Sequence, residues 1–197
     1  MAKDHDYEAL DDAVLIRAYV KGDEKAFETL YYRHRQMLYG YLNNLTGNQN
    51  SEADEVFAET WLRVIDKLPK YREDGKFTAW LFRIARNIFI DRLRRNHPER
   101  FVTIDADDSP ELAEITEFSP DRAVGTGDIK AALHDALQQL HPSQREVFLL
   151  REEGELSFRE IAEIQQCSLG TVLSRMRYAL KRLRIYLQNI DSGGLLR

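Results

Sequence analysis

The sequence lacks the features that mark several protein classes. Its 197 residues include one cysteine, Cys167, which excludes an internal disulfide framework and a multi-thiolate metal site. No apolar run approaches the roughly 18 residues of a membrane helix. The opening stretch MAKDHDYEALDD is acidic, whereas a signal peptide is basic and then apolar. We therefore expect a cytoplasmic protein without membrane insertion.

The sequence also offers little for catalysis or metal binding. The histidines are scattered, with no H-x-x-x-H spacing and no carboxylate at ligand distance along the chain. No set of side chains suggests a nucleophile with its base. These patterns predict a protein that is not an enzyme and that has no metal site, no catalytic residue and no cofactor.

Charge is distributed in blocks, although the net charge is only −5. Seven Lys or Arg residues lie between Lys76 and Arg100, and five more lie between Gln165 and Leu187, where there is no acid. The stretch 101–129 between these blocks holds eight acids and one base. Because a polyanion responds to the charge within about a Debye length, the two basic blocks favour nucleic acid as a partner. Solvated helix faces are the simpler explanation for either block taken alone.

Hydrophobic spacing and capping residues predict helices throughout, and no segment shows the alternation of a strand. In the first half we expect helices from Asp11 to Gly22, from Asp23 to Gly47, from Ser51 to Leu68, and from Thr78, as N-cap, to Asn96. In the second half we expect one over 129–140, two that open with the capping boxes Ser143–Glu146 and Ser157–Glu160, and a long final helix capped by Ser168.

The predicted fold class is therefore all-α. Two small helical domains, 10–98 and 128–188, are joined by a flexible acidic linker over 99–127, which contains Pro110, Pro120 and Gly125. The segment 157–183 has the short helix, turn and longer helix of a helix-turn-helix. Its second helix collects leucines on one arc and bases on the opposite side, which suits the major groove. An ordinary surface helix of a bundle is the alternative.

The segment 70–95 is the second candidate for nucleic-acid binding. Arginines and Asn87 cluster on one side of its helix, and aromatic residues lie nearby. Stacking on aromatic rings is typical of proteins that hold unpaired bases. Core packing is the simpler role for Phe77 and Trp80, and Tyr71 could equally be a loop aromatic that covers the core.

Three strings together resemble the extracytoplasmic-function (ECF) sigma factors of bacterial RNA polymerase. FTAWLFRIARNIFIDRLRR is similar to the segment that melts and reads the minus-ten element. EVFAETWLRV, residues 55–64, resembles the helix that docks on core polymerase, and QREVFLLREEGELSFREIAEIQQCSLGTVLSRMR resembles the minus-thirty-five reading domain. The resemblance implies a non-catalytic specificity subunit that binds core polymerase and both duplex and melted promoter DNA. It also implies a regulatory anti-sigma factor.

The resemblance and the basic clusters give three sets of candidate residues. Those for the minus-ten element are Tyr71, Arg72, Lys76, Arg83, Arg86, Asn87 and Arg94, of which Tyr71 and Asn87 match positions that hold a flipped base in the family. Those for the minus-thirty-five element are Ser168, Gly170, Thr171, Ser174, Arg175, Arg177, Tyr178 and Lys181. Those for polymerase docking are Asp54, Glu55, Glu59 and Trp61.

Two other functions fit the same patterns. A stand-alone helix-turn-helix regulator would bind duplex DNA tightly without polymerase and would give no role to Tyr71, Arg72 or Asn87. A protein-interaction adaptor would show little salt dependence in any DNA binding, whereas phosphate contacts produce a steep dependence.

Overall fold

The computed structural model of the chain describes residues 7–47, 49–72, 75–96 and 129–192, and all regular structure in these ranges is helical. The all-α prediction is confirmed. Short 3₁₀ helices cover Tyr7–Ala9 and Leu68–Lys70. The α-helices are α1 Asp12–Val20, α2 Glu24–Leu45, α3 Asn50–Lys67, α4 Phe77–Asn96, α5 Ile129–Gln138, α6 Pro142–Glu152, α7 Phe158–Gln165 and α8 Leu169–Ser192.

The first four helices form the N-terminal domain around the long helix α2. Leu30, Leu38 and Leu42 recur every four or eight residues along α2 and are fully buried, as an amphipathic helix requires. Asp12 fastens α1 to α2, because its carboxylate accepts from Arg33 at 2.6 Å and lies 2.7 Å from the Nε2 atom of the buried His34. The resulting scaffold holds α3 and α4 against one another and against α2.

The N-cap prediction for α4 is wrong by two positions. The helix begins at Phe77, and the Trp80 amide already donates to the carbonyl of Lys76 at 3.0 Å, so Thr78 lies inside the first turn. Phe77 is buried against the rings of Tyr71 and Trp80. The helix therefore begins at the residue whose ring is buried, and the capping preference of Thr78 does not determine its start.

The last four helices form the C-terminal domain, and α7 and α8 form the predicted helix-turn-helix. The capping box at α7 is confirmed: the Glu160 amide donates to the Ser157 hydroxyl, and the Ser157 amide donates to the Glu160 carboxylate. Gln166 closes α7 in the left-handed conformation, with φ of 56°. Ser168 caps α8 as predicted, since its hydroxyl accepts from the Thr171 amide at 3.0 Å.

The other predicted capping box, Ser143–Glu146, is wrong. The helix α6 is capped two residues earlier, where the His141 side chain accepts from the Ser143 amide and Pro142 occupies the first turn. Glu146 is almost completely buried. Its carboxylate is occupied by donors from other helices, so it has no role in capping.

The two domains pack directly on one another through α2 with α5 and α6, and through α4 with α7. At this domain interface the fully buried Phe82 of α4 stacks near Tyr41 of α2, with ring centroids 5.0 Å apart. A Cβ at Gly154 would lie 3.3 Å from the Phe82 ring and 2.7 Å from the Leu150 carbonyl, which explains the glycine there. The predicted linker over 99–127 lies outside the described residues.

Candidate nucleic-acid interface

The outer side of α4 carries most of the residues predicted for the minus-ten element. Arg72, Lys76, Arg83, Asn87 and Arg94 all have exposed side chains. They share one helix and the loop before it, where Gly75 has a φ of 77°, a conformation that glycine adopts without steric cost. We refer to these five exposed residues, which lie on α4 and in the segment before it, as the basic surface of α4.

Tyr71 differs from the rest of this set, because its ring is half-buried. It lies 4.6 Å from Trp80 and 5.9 Å from Phe77 between ring centroids, so it packs on the aromatic edge of the core. The partly exposed Trp80 extends the same aromatic surface. Tyr71 thus stands at the boundary between the core and the basic surface.

Arg86 is the most buried of the charged residues predicted for the minus-ten element, and it faces the other domain, as the exposed Arg83 does beside Glu163. Its Nε donates to the Glu146 carboxylate at 2.8 Å, and its side chain is mostly buried. Burial opposes the charge on the guanidinium, but Glu146 favours it, and the net effect raises the pKa of Arg86 above its usual value. Arg86 is therefore a charged residue of the domain interface in this conformation.

The helix-turn-helix exposes one basic side of α8. Ser168, Gly170, Arg177 and Lys181 are exposed, and Thr171 and Ser174 are half-exposed beside them. The guanidinium of Arg177 lies 5.2 Å from the centre of the Tyr178 ring, which is within cation–π range. A helix with small residues at its start and bases further along has the shape and charge of a major-groove reader.

Arg175 is partly withdrawn from this surface. One of its terminal nitrogens donates to the Gln165 side chain at 3.0 Å and lies 3.7 Å from the Cys167 sulfur. Burial raises the pKa of the Cys167 thiol, with Arg175 and Arg86 acting in the opposite direction. Arg175 therefore ties α8 to the end of α7.

The helix α3 presents acids that are already paired with bases. Arg92 of α4 bonds to Glu55 and, at 3.2 Å, to Glu59, which also accepts from Arg63. Asp54 accepts from the Tyr39 hydroxyl at 2.9 Å. These pairs hold the acidic side of α3 in a fixed position.

Trp61 faces inward from α3. It is 5% exposed and packs edge-on against Phe27 and Tyr31. In this conformation its ring supports the helix from the core and is not available at the surface. Leu62 and Ile65, by contrast, are exposed beside the acids, Leu62 by 67%. Neither residue was among the predicted docking residues. Each directly follows a buried position of α3, Trp61 or Val64, and an apolar residue placed beside the buried stripe indicates a contact surface.

Within the part of the chain that the structure describes, no cluster of three or more His, Cys, Asp or Glu could hold a metal ion. The helices described there also include none with the length and apolarity to cross a bilayer. What the fold and its surfaces define is a two-domain helical protein with a helix-turn-helix and two basic helices.

Comparison with known proteins gives this class a family. Residues 30–99 match the profile of Sigma-70 region 2, and residues 130–183 match that of Sigma-70, region 4. The RNA polymerase sigma-H factor of Pseudomonas aeruginosa is 32% identical over 175 residues, covering 84% of this chain and 88% of that protein. The ECF RNA polymerase sigma factor SigW of Bacillus subtilis is 27% identical over 180 residues, covering 89% and 96%.

A solved structure has the same fold over most of the chain. CnrH, in complex with the cytosolic domain of CnrY, superposes with a TM-score of 0.63 at 25% identity, covering 90% of this chain and 97% of CnrH. The chain belongs to the ECF sigma factors of RNA polymerase. Its function is to direct promoter-specific initiation of transcription.

Proposed function

We propose a division of labour among the named surfaces of this sigma factor. The N-terminal domain, 10–98, docks on core polymerase through α3 and reads the minus-ten element through α4. The C-terminal domain, 128–188, holds the minus-thirty-five duplex through α8. The observation that supports this assignment is that each of the two helices carries several exposed bases: Arg83, Arg94 and Arg95 on α4, and Arg177, Lys181 and Arg184 on α8, the second helix of the helix-turn-helix.

At the minus-ten element, Tyr71 and Asn87 hold an unpaired base, and Arg72, Lys76, Arg83, Arg86 and Arg94 contact the phosphates. Extracting a base from the stack costs a few kcal/mol. Stacking on Tyr71 returns about 1–3 kcal/mol, and the phosphate contacts add to it. The rings of Tyr71 and Trp80 pack together, with centroids 4.6 Å apart. Along the chain they are flanked by exposed basic side chains, as binding of an unpaired nucleotide requires.

At the minus-thirty-five element, the start of α8 enters the major groove. Ser168, Gly170, Thr171 and Ser174 lie at or close to base edges, because small residues permit close approach. Further along, Arg177, Tyr178 and Lys181 contact the backbone, and Arg175 contributes when it is released from Gln165. The linker 99–127 spans at most roughly 100 Å when extended. One to two turns of DNA measure about 35–70 Å, so both domains can reach one promoter.

Docking on core polymerase uses the exposed side of α3. Asp54, Glu55 and Glu59 supply charge, Leu62 and Ile65 supply the apolar contact, and Trp61 supports the helix from within. The chain itself performs no chemistry and works in the cytoplasm with the polymerase. Since the sigma factor RpoE of Bartonella quintana, a protein of the same fold, was solved in complex with the anti-sigma factor NepR, we include an anti-sigma factor among the partners of this chain.

The assay for this proposal is run-off transcription with core polymerase, with and without the full chain. We expect initiation at a cognate promoter only when the chain is present. Leu62→Ser should weaken core binding by about tenfold, the loss typical of one well-placed apolar anchor. Leu133→Ser, at an exposed leucine of α5, is the matched control and should leave core binding unchanged.

A second measurement isolates the minus-ten contact. Tyr71→Ala and Asn87→Ala should each weaken binding of the core-bound chain to a single-stranded minus-ten oligonucleotide, Tyr71→Ala by about tenfold or more. Tyr32→Ala removes an exposed ring of α2 outside this surface and should have no effect. Equal losses in all three variants would count against the assignment.

A further inference from the structure

Glu146 is the central residue of the domain interface. Only 3% of it is exposed, and its carboxylate has donors from both domains. Arg86 of α4 donates at 2.8 Å and Tyr41 of α2 at 3.3 Å, while Gln165 of α7 donates at 2.6 Å from the same domain as Glu146. A buried carboxylate requires such compensation, and two of its three donors are supplied across the interface.

The network continues into the helix-turn-helix. The side-chain oxygen of Gln165 accepts from Arg175 of α8 at 3.0 Å. A continuous chain of hydrogen bonds therefore runs from Arg86 on one proposed DNA reader to Arg175 on the other, through Glu146 and Gln165. While this chain is intact, neither guanidinium is fully available to a phosphate or a base.

A second contact joins the same helices at the rim of the interface. Arg83 of α4 lies 3.4 Å from Glu163 of α7, and both side chains are about half-exposed. Water screens such a pair, so it contributes little to packing. The two ion pairs thus link the same two domains but differ in burial, which makes one a control for the other.

We propose that the Glu146 network is an autoinhibitory lock, which holds the free chain closed and withholds Arg86 from promoter DNA until the two domains separate. The withheld activity is the minus-ten contact described above, so the inference rests on the proposed function. A buried ion pair suits a reversible lock, because both charges regain water on opening and the net stabilisation is small. Removing one partner while the interface stays closed strands the other charge in a buried site, which favours opening.

The test uses the full chain without polymerase. Glu146→Gln keeps the size of the side chain and removes its charge, and Glu163→Gln makes the same change at the exposed pair. Small-angle X-ray scattering should show a larger radius of gyration for Glu146→Gln than for the unmodified chain, and no increase for Glu163→Gln. The Glu146→Gln variant should also bind a fluorescent single-stranded minus-ten oligonucleotide about fivefold to tenfold more tightly than the unmodified chain. Glu163→Gln frees only the half-exposed Arg83 and should change the affinity by less than about twofold.

A second variant guards against misfolding of the C-terminal domain. Tyr41→Phe leaves the ring against Phe82 and removes only the hydroxyl that reaches Glu146, so it should open the chain in the same direction, with about a twofold gain in oligonucleotide affinity. Far-UV circular dichroism should be unchanged.

An unchanged radius of gyration in both Glu146→Gln and Tyr41→Phe would overturn the lock, and so would opening without a gain in oligonucleotide affinity. Failure of the unmodified chain in run-off transcription would refute the proposed function instead.

Discussion

The helices α4 and α8 are both long and basic, yet they sit in opposite surroundings. α4 is covered on two sides, by its own domain through Leu81 and Ile88 and by the C-terminal domain through Phe82 and Arg86. α8 buries a single strip that includes Val172 and leaves its basic side and several leucines exposed. Each helix carries five Lys or Arg residues, but those of α4 lie beside two covered sides and those of α8 beside one.

Because of this difference, a substitution on α4 and one on α8 should have different effects on stability and on binding. On α4 a side chain can belong to the domain interface and to a proposed binding surface at once, as Arg86 does. On α8 the buried strip and the exposed basic residues do not overlap, and Arg175, which bonds to Gln165, is set back from the exposed ones. We therefore expect changes on α4 to alter stability and binding together, and changes on the outer side of α8 to alter binding alone.

The largest expected effect is at Phe82, the fully buried ring on the second covered side of α4. Phe82→Ala should lower the free energy of unfolding by about 3–5 kcal/mol, because it removes a large ring and leaves a cavity. Leu180→Ala changes an exposed leucine of α8 and should cost less than about 0.5 kcal/mol. Urea denaturation followed by circular dichroism measures both, and equal losses would remove the distinction between the helices.

The partly buried Asp12 shows how much a charge contributes when all its partners lie within one domain. Burial raises the pKa of Asp12, but His34 and Arg33 lower it, and the net pKa lies below its ordinary value of 3.8. Asp12→Asn should cost about 1–3 kcal/mol at pH 7, the usual contribution of hydrogen bonds to a charged group. The depressed pKa means that this stabilisation is present above pH 3.8 and is lost as the pH falls through the folded pKa.

The measurement for Asp12 is a pair of urea denaturation curves for the two proteins at pH 7 and at pH 3. The difference between them should be smaller at pH 3, because this pH lies below the ordinary pKa of 3.8 and the stabilisation decreases as the pH falls. Asp11→Asn changes the neighbouring N-cap residue, whose side chain makes no capping hydrogen bond, and should change the free energy less. A difference that is equal at both pH values would show that the charge of Asp12 does not stabilise the domain.

Much of the fold followed from local signals in the sequence. The helix boundaries lie within about two residues of their predicted positions, because capping residues and apolar spacing act over a few residues. The Ser157–Glu160 box and the Ser168 cap form as expected. The identical S-x-x-E pattern at Ser143 failed because Glu146 is needed elsewhere, by an arginine 60 residues earlier in the chain.

The candidate site was less predictable, because it too depends on contacts between residues that are far apart in the sequence. Spacing on a helix shows which side chains share a face, but it does not show what lies opposite that face. Phe82 and Arg86 lie on a side of α4 that is covered by the other domain. Local spacing in the sequence carries no information about that contact. On α8 the predicted apolar arc is confirmed only in part. Val172, Met176, Ala179 and Leu183 are buried, whereas the leucines at 169, 173, 180 and 187 are exposed.

The outer side of α8 supplies the next prediction. Arg177→Ala combined with Lys181→Ala should weaken binding to duplex promoter DNA by about tenfold at moderate salt and reduce the salt slope by about two, if each base neutralises one phosphate. The free energy of unfolding should stay within about 0.5 kcal/mol of the original, because both side chains are exposed. Lys21→Ala, at the end of α1, is the charge control for the binding titrations. A change in stability as large as the change in binding would contradict the separation proposed for α8.

The smallest expected effect concerns α7, the short helix that positions α8. Ser157→Ala removes the hydroxyl that caps α7 and should lower the stability of the C-terminal domain by about 1 kcal/mol. Glu160→Gln retains a side chain that completes the capping box and should cost less. Hydrogen exchange of the α7 amides measures both, and α8 should keep its protection, because its own cap at Ser168 is intact. Loss of protection in α8 as well would mean that the two helices open as one unit, and that the stability of the proposed duplex reader depends on the helix before it.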